Sequence, residues 1–471
     1  GVDHTGGIRV INRDQIIRNN YLEGLTGYRF GSGLTVMNGV PNSKINRYHQ
    51  VDNALIENNT LVNVKHIQFA AGSDKERSAA PINSTVKNNL IVNAQGTDGI
   101  TVFDDISGIK FKGNLLNQDT KATLDEGFEQ AEITMKRAGN GLLYPADEAQ
   151  RKFGVSTDIK PVAKNDVGVS WYPKVEPDVA FGSGKVISVT PGDNTLFDAI
   201  ASAESGDVLV LQAGEYWVSK ILKLDKTLTI QAQDKDTAVI YSKRSTLIEI
   251  NNLGNLTLDG VQVDAKNAPD AAGNTLIRTT RLPMQRNYRV EIKNSTFENL
   301  NINHSYHFFD VGNRSFADYI QVSNSHFAHI TGDLFRLNKE TDDLGIYNVE
   351  YLTIEDSTVM NLEGAIAKVY RGGTDESTFG PHVVLNNNTF SEIGKGKRNK
   401  SQASLILHGT QVNKVTANKF INSAPVIFEL TVGEPKTWIT DNVFEGTSEP
   451  IIKDLFPLSG VTTIISGNKT L

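Results

Sequence analysis

A short cassette recurs along the chain: β-prone residues, an Asn or similar polar residue, two variable positions, then an apolar one. It reads Asn19-Asn20-Tyr21-Leu22, Asn58-Asn59-Thr60-Leu61, Asn88-Asn89-Leu90-Ile91 and Gly113-Asn114-Leu115-Leu116. After an interval it returns as Asn294-Ser295-Thr296-Phe297, Asn324-Ser325-His326-Phe327, Asp356-Ser357-Thr358-Val359 and Asn387-Asn388-Thr389-Phe390. Ala417-Asn418-Lys419-Phe420, Asp441-Asn442-Val443-Phe444 and Gly467-Asn468-Lys469-Thr470 complete the set. Successive cassettes of the second group start 30, 32, 31, 30, 24 and 26 residues apart. β-Prone runs lie beside them, as at Val290-Glu291-Ile292, Tyr319–Val322, Leu352-Thr353-Ile354 and Val383-Val384-Leu385. With strands of ~5–6 residues, each period holds about three short strands and their turns. That is one rung of a right-handed parallel β-helix. Asn suits a fixed corner because it tolerates left-handed backbone and can stack its amide in a ladder. Helical periodicity is poor here, which excludes helical solenoids.

The pattern predicts an all-β chain of two β-helix solenoids in tandem. From about Asp119 to Gly184 the cassette is lost and charge rises, with Glu126–Arg137 and Asp147–Lys152 reading as short helices. Pro145, Pro161, Pro173 and Pro177 punctuate this stretch, and Phe128, Leu142, Leu143, Tyr144, Trp171 and Tyr172 predict a connector packed against the first solenoid. Thr195–Glu204 then has apolar residues at helical spacing, and Gly206–Tyr216 reads as turn, strand, turn. A short amphipathic helix there would cap the open first rung of the second solenoid against edge-to-edge pairing. The expected divisions are 1–120 for the first solenoid, 121–184 for the connector and 185–471 for the second. The first solenoid starts at Gly1 inside patterned sequence with no cap, so it is expected to lack its N-terminal coils and to be the C-terminal part of a longer chain.

Composition narrows the functional classes. A chain of 471 residues, 39% apolar and 21% charged, fits a folded protein of more than one domain. Its net charge of −7 argues against nucleic acid as a partner of the whole chain. No apolar run approaches the ~20 residues of a membrane-spanning helix. The absence of cysteine removes disulfides, thiolate nucleophiles, zinc-thiolate sites and iron–sulfur clusters. Phosphate-cradling loops, HExxH and GxSxG motifs are missing too.

Polar chemistry concentrates in Gly1–Arg77, with nine Lys/Arg against seven Asp/Glu, a local +2 suited to an anionic ligand. In Gly6-Gly7-Ile8-Arg9-Val10-Ile11, strand alternation sets Arg9 on the face opposite Ile8 and Val10, where a guanidinium can take a carboxylate bidentately. Tyr28-Arg29, Asn46-Arg47-Tyr48-His49 and Asp74-Lys75-Glu76-Arg77 fall in long excursions between cassettes, where binding groups concentrate. His4, His49 and His66 are acid/base candidates by type alone. The basic stretch Lys395–Lys400 reads as a solvated turn, and Asp104-Asp105 and Asp342-Asp343 lack the spacing of a calcium loop. The second solenoid shows no basic and polar constellation comparable with the first.

At Thr5–Ile11, Asn19–Leu25, Met37–Ser43 and Asn46–Gln50, and onward through Gly72–Arg77, the Asn88-Asn89 rung and Gly168–Pro173, the sequence resembles polysaccharide lyase family 6. That family contains alginate lyases and chondroitinase B-type enzymes. The second solenoid looks like the extra C-terminal β-helix of the longer alginate-lyase members. The resemblance implies β-elimination on a uronic-acid polymer, alginate foremost, leaving unsaturated products. Ca²⁺ would neutralise the sugar carboxylate, a Lys would take the C5 proton and an Arg would assist the leaving oxygen. In the family that Lys lies in an Asn-Lys-Ser stretch and that Arg in Leu-Arg-His-Gly. Both precede the Gly-Gly-Ile-Arg rung, as do the calcium ligands, and none of these stretches is expected anywhere in this chain, so the catalytic residues and metal ligands stay unassigned. By matching position Arg9 is a substrate-facing residue, and His4, Arg47, Tyr48, Lys75 and Arg77 are groove-side loop positions. The rival readings are a non-catalytic module binding acidic polysaccharide, a dermatan- or chondroitin-type lyase, and a structural β-helix fibre. The partner expected is an acidic polysaccharide, without nucleic acid or a membrane span. A homodimer is compatible with it, and a secreted or periplasmic location follows from a polymer too large to import.

Overall fold

The computed structural model divides the chain into two compact units, Gly1–Val175 and Glu176–Leu471. The residues it describes are 7–25, 33–44, 47–64, 67–92, 98–118, 121–122, 124, 126–160, 162, 167, 178–341, 345–373, 380–433, 435–455 and 462–471. Among these, the first unit has three parallel sheets of five, four and five strands. The chain visits them in turn: Ile8–Val10 in the first, Ile16–Arg18 in the second, Tyr21–Glu23 in the third, then Leu34–Met37 back in the first. Each strand pairs in parallel with the strand one circuit later, as Ile8 to Val10 do with Leu34 to Val36. The second unit repeats the scheme with parallel sheets of 11, 11 and 9 strands. This pairing order is that of a parallel β-helix.

The recurring cassette forms the same corner in each rung that carries it, and two adjacent residues divide its work. The first takes the left-handed conformation, with φ of 55° at Asn19, 54° at Asn58 and Asn88, 51° at Asn294 and 58° at Asp441. The second turns inward and builds a ladder. In the first unit Asn20 donates its amide to Asn59 (2.8 Å), Asn59 to Asn89 (2.9 Å) and Asn89 to Asn114 (2.9 Å). In the second unit Asn388, Asn418, Asn442 and Asn468 repeat this at 2.9, 3.1 and 2.9 Å. Ahead of them Ser325 Oγ accepts from the Ser295 N–H, and Ser357 Oγ from the Ser325 N–H. The apolar end of the cassette faces the interior, where Phe297 and Phe327 stack at 5.1 Å and Phe420 and Phe444 at 5.3 Å.

Helix Thr195–Ser202 buries Leu196 and Ile200 in the apolar interior of the second unit and packs against strands Val186–Val189, Gly214–Val218 and Leu222–Leu224. The helix lies where the sequence has apolar residues at helical spacing. The helix expected over Glu126–Arg137 is instead extended chain. Phe128–Ala131 joins the third sheet of the first unit beside Asn114–Asn117, and Met135–Arg137 pairs antiparallel with Leu143–Pro145. The cause is tertiary: that sheet turns Leu90, Val92 and Leu115 outward, and Ile133 and Phe153 cover them. Downstream, Glu148–Lys152 is a short 3₁₀ turn, with Asp147 accepting from the Ala149 N–H at 2.9 Å.

One polar network interrupts the apolar packing of the second unit. His307 is buried, its Nδ1 accepting the N–H of Asp333 at 2.8 Å, while its Nε2 lies 3.0 Å from Arg336 Nη1 and 3.2 Å from Ser305 Oγ. Lys368 Nζ lies 2.8 Å from Asp333, and Arg336 and Lys339 lie 3.5 and 3.4 Å from Asp310. Burial, helped by the nearby Arg336 and opposed by Asp333, pushes the His307 imidazole down to about 4.

Four stability outcomes follow. Asn418→Ala leaves the buried N–H groups of Asn388 without their acceptor and is expected to cost about 2–3 kcal/mol in urea unfolding of the second unit. Asn468→Ala, on the last ladder residue and half-buried, should cost about 1 kcal/mol or less. Ala417 holds φ of 56° with a Cβ, so Ala417→Gly should raise stability by about 1 kcal/mol. His307 is neutral when folded and takes up a proton on unfolding as pH falls below its ordinary range. Stability present above about pH 6.5 is therefore lost toward pH 4, on the order of 2–3 kcal/mol, and His307→Gln should flatten that part of the pH profile.

Candidate functional site

In the first unit, Gly7 lets the chain enter the Arg9 strand closely, because a Cβ there would lie 2.4 Å from the Gly33 carbonyl oxygen. Alternation then works as the sequence predicts: Val10 is buried and Arg9 is exposed. Parallel register carries this position along the first sheet, from exposed Arg9 to buried Thr35 and half-buried Gln68 and Thr101. Thr35 Oγ1 donates to Gln68 Oε1 at 3.2 Å. A guanidinium, an amide and two hydroxyls thus share one face, one per rung, at a spacing of roughly 4.8 Å.

Two loops rise at the end of these strands and are fastened to each other. Gly39 and Ala79 exchange backbone hydrogen bonds of 2.8 and 2.9 Å, and Gln50 Nε2 donates to the Ala80 carbonyl at 2.6 Å. Below them, fully buried Asn38 donates to Asp104 Oδ2 at 2.7 Å, and Ser73 Oγ donates to the same oxygen at 2.7 Å. The Ser73 hydroxyl, the Asp105 N–H and the Asn38 amide hold the Asp104 carboxyl below its ordinary range. Arg77 folds back on Asp74, its N–H 2.6 Å from Oδ1 and its Nη2 2.6 Å from Oδ2. The Arg77 backbone N–H first, then its guanidinium, pull Asp74 down to about 2.

Of the residues singled out from sequence, the structure brings Tyr48 and Arg77 together, the guanidinium 5.5 Å from the ring centroid. Arg77 is committed to Asp74 and shapes the loop. Arg47 and Lys75 are exposed on the same pair of loops, and among the described residues neither side chain has an ion-pair partner. His49 lies with Nδ1 2.9 Å from the Ser43 carbonyl oxygen and anchors its loop. His4, Tyr28, Arg29, Lys65, His66 and the Gly168–Pro173 stretch lie outside the described residues. Sequence reasoning missed Gln68 and Asp104 as groove-side groups and Asn38 as the buried amide that holds Asp104. Their signal was position, since Asn38 directly follows the strand Leu34–Met37 and Asp104 lies just past Asp98–Val102.

Two readings of the second unit are corrected. It does carry a basic and polar constellation, the His307, Asp333, Arg336 and Lys368 network, assembled from rungs about 30 residues apart. The basic stretch at Lys395–Lys400 is the solvated turn expected, with Lys395, Lys397, Arg398 and Lys400 exposed, and the buried Asn399 side chain closes it. The expectation that the family's lysine stretch is absent is the second one corrected: Asn399-Lys400-Ser401 has its spelling, though it belongs to this turn. Among the described residues no three His, Asp or Glu side chains converge as a cation cage. Among the described residues no helix is long and apolar enough to cross a membrane.

The Chondroitinase B family profile matches residues 2–156. The structure of the family 6 alginate lyase AlyGC is 83% identical over 100% of this chain, with a TM-score of 0.76, and this chain covers 65% of that one. An arginine-to-alanine variant of the same enzyme matches at 83% identity, the same 65% coverage and a TM-score of 0.77. A search of curated proteins finds no match. The chain thus spans about two thirds of the length of its solved relative. With that identity along its whole length, and a chondroitinase B-type match in its first unit, it belongs to polysaccharide lyase family 6.

Proposed function

We propose that this chain forms part of a lyase that cleaves a uronic-acid polymer, alginate foremost, by β-elimination to unsaturated oligosaccharides. The observation that carries the reading is 83% identity over the whole chain to an alginate lyase. The reaction needs the sugar carboxylate neutralised, a base at C5 and a proton donor at the departing oxygen. The first unit is suited to binding. Arg9 presents a guanidinium to a carboxylate, while Gln68 and Thr101 on the same face offer hydrogen bonds to ring hydroxyls. Arg47 and Lys75 add cations on the loops above, the Tyr48–Arg77–Asp74 set holds those loops in shape, and His4 is assigned to the same side by its sequence position. The base and proton donor are assigned to no residue of this chain. Ca²⁺, which the resemblance implies, finds no ligand set among the described residues, so no step is routed through it. A secreted or periplasmic setting matches a polymeric substrate.

A dermatan- or chondroitin-type substrate is the second reading, favoured by the Chondroitinase B match over residues 2–156. Ultraviolet absorbance of the new double bond, followed with the complete protein that contains this chain on polymannuronate, polyguluronate and dermatan sulfate, separates the two. The expected outcome is turnover of an alginate block. Turnover of dermatan sulfate alone would replace the first reading with the second, and turnover of none would refute both. Arg9→Ala should lower kcat/KM by about 2–4 kcal/mol, with Arg9→Lys recovering part of the loss. Unchanged kinetics would remove Arg9 from the groove.

A further inference from the structure

We propose that the second unit carries its own binding site for an anionic oligosaccharide, in a groove lined by His304, His329, Asn361, Lys395, Lys397 and Arg398. The choice of a carboxylated sugar as ligand rests on the function proposed above; the site itself rests on the following geometry. The groove encloses about 770 Å³, within the range of small-ligand sites. Its floor is a repeated bulge. At Asn299, His329, Asn361 and Glu392 the chain turns left-handed, with φ of 62°, 58°, 54° and 56°. Each rung skips that residue in its pairing, so that Glu298 faces Ala328 and Leu300 faces Ile330, and the same step recurs at Met360 and Leu362. The skipped residues His329, Asn361 and Glu392 are exposed. They rise at rung spacing and span about 10 Å over three rungs. Imidazole, amide and carboxylate repeated at that interval match a ligand whose hydroxyls and carboxylates also repeat along a chain.

The wall is the turn after Glu392, and it is built rather than loose. Buried Asn399 donates to the Gly394 carbonyl at 2.8 Å and the Ala403 carbonyl at 2.9 Å, closing the turn on itself. Gly396 donates its N–H to the Glu363 carbonyl at 3.0 Å, docking the turn onto the rung before it. A Cβ at Gly396 would lie 2.6 Å from the Glu363 Cβ, so this close approach requires glycine. The result holds three cations at the rim. Lys395 is 3.8 Å from Glu392, whereas Lys397 and Arg398 are exposed and, among the described residues, have no ion-pair partner. Cations held on a fixed turn above polar groups favour an anion that also carries hydroxyls, with Glu363 and Asn361 as acceptors for those hydroxyls.

The test is calorimetric titration of the whole chain with a uronate hexasaccharide and with its carboxyl-reduced, neutral counterpart. Wild type, Lys397→Ala/Arg398→Ala and Arg9→Ala are compared. The double variant removes only exposed rim cations, and an unchanged unfolding midpoint confirms that it folds. The expected result is a tenfold or greater loss of affinity at one set of sites in the double variant. Arg9→Ala should retain that binding, and the neutral hexasaccharide should not bind. An isotherm for the double variant identical to wild type overturns the proposal, as does equal binding of the neutral sugar. Loss in Arg9→Ala alone leaves the first-unit groove standing and refutes this site. Loss in the double variant alone, with turnover unchanged in Arg9→Ala, supports this site and refutes the role given to Arg9. Binding of the uronate by none of the three proteins overturns this site.

Discussion

Each rung must present the same corner to the next, and that constraint governs everything else in both units. Parallel strands satisfy their backbone groups only if every circuit returns at the same height and angle. The corner enforces this with a left-handed residue followed by an inward amide that bonds to its copy in the neighbouring rung. Asn59, Asn89, Asn388, Asn418 and Asn442 are all at most 2% exposed, so each amide lost there leaves buried donors unsatisfied. Ser295, Ser325 and Ser357 show that a hydroxyl can do part of the same work by accepting the backbone N–H, without the side-chain relay. A different corner, just before strand Val208–Leu211, is held by Asp207, whose carboxylate accepts from the backbone N–H groups of Lys185 and Glu204.

Once the corner repeats, the outside of the molecule becomes a set of columns. A single outward position in one strand recurs one rung away in the next, which places Arg9, Thr35, Gln68 and Thr101 on one line although 92 residues separate the ends. The same geometry stacks Trp217 on Tyr241 at 4.4 Å and Tyr370 on His408 at 4.3 Å. Columns of this kind suit a polymeric ligand, because both protein and ligand repeat along one direction. Insertions between strands then decide which parts of a column are walled in. Loops 38–50 and 72–82 do this in the first unit, and the turn at 394–403 does it in the second.

The sequence determined a good deal by itself. The cassette marked the corners, its apolar end marked the interior, and the alternation around Ile8-Arg9-Val10 set Arg9 outward. The Thr195–Glu204 pattern marked the capping helix to within two residues. These features were legible because each is carried by neighbours along the chain, whose relative directions a period of two or 3.6 fixes. Family membership was legible for the same reason, since its motifs are short and ordered.

The tertiary structure decided what neighbours along the chain cannot. Arg77 is spent on Asp74 and Tyr48, an outcome set by how two loops fold back on each other. Charged residues around 126–137 became strands because the outward Leu90, Val92 and Leu115 needed covering, which overrode local helix preference. His307, Asp333, Arg336 and Lys368 meet only through the register of separate rungs, so no stretch of sequence contains them together. The turn at Lys395–Lys400 keeps its charges solvated as its sequence reads, but buried Asn399 and the close approach of Gly396 to Glu363, which fix it in place, are set only by the fold. In a solenoid, what lies along the chain specifies the rung, and what faces a ligand is specified by stacking between rungs.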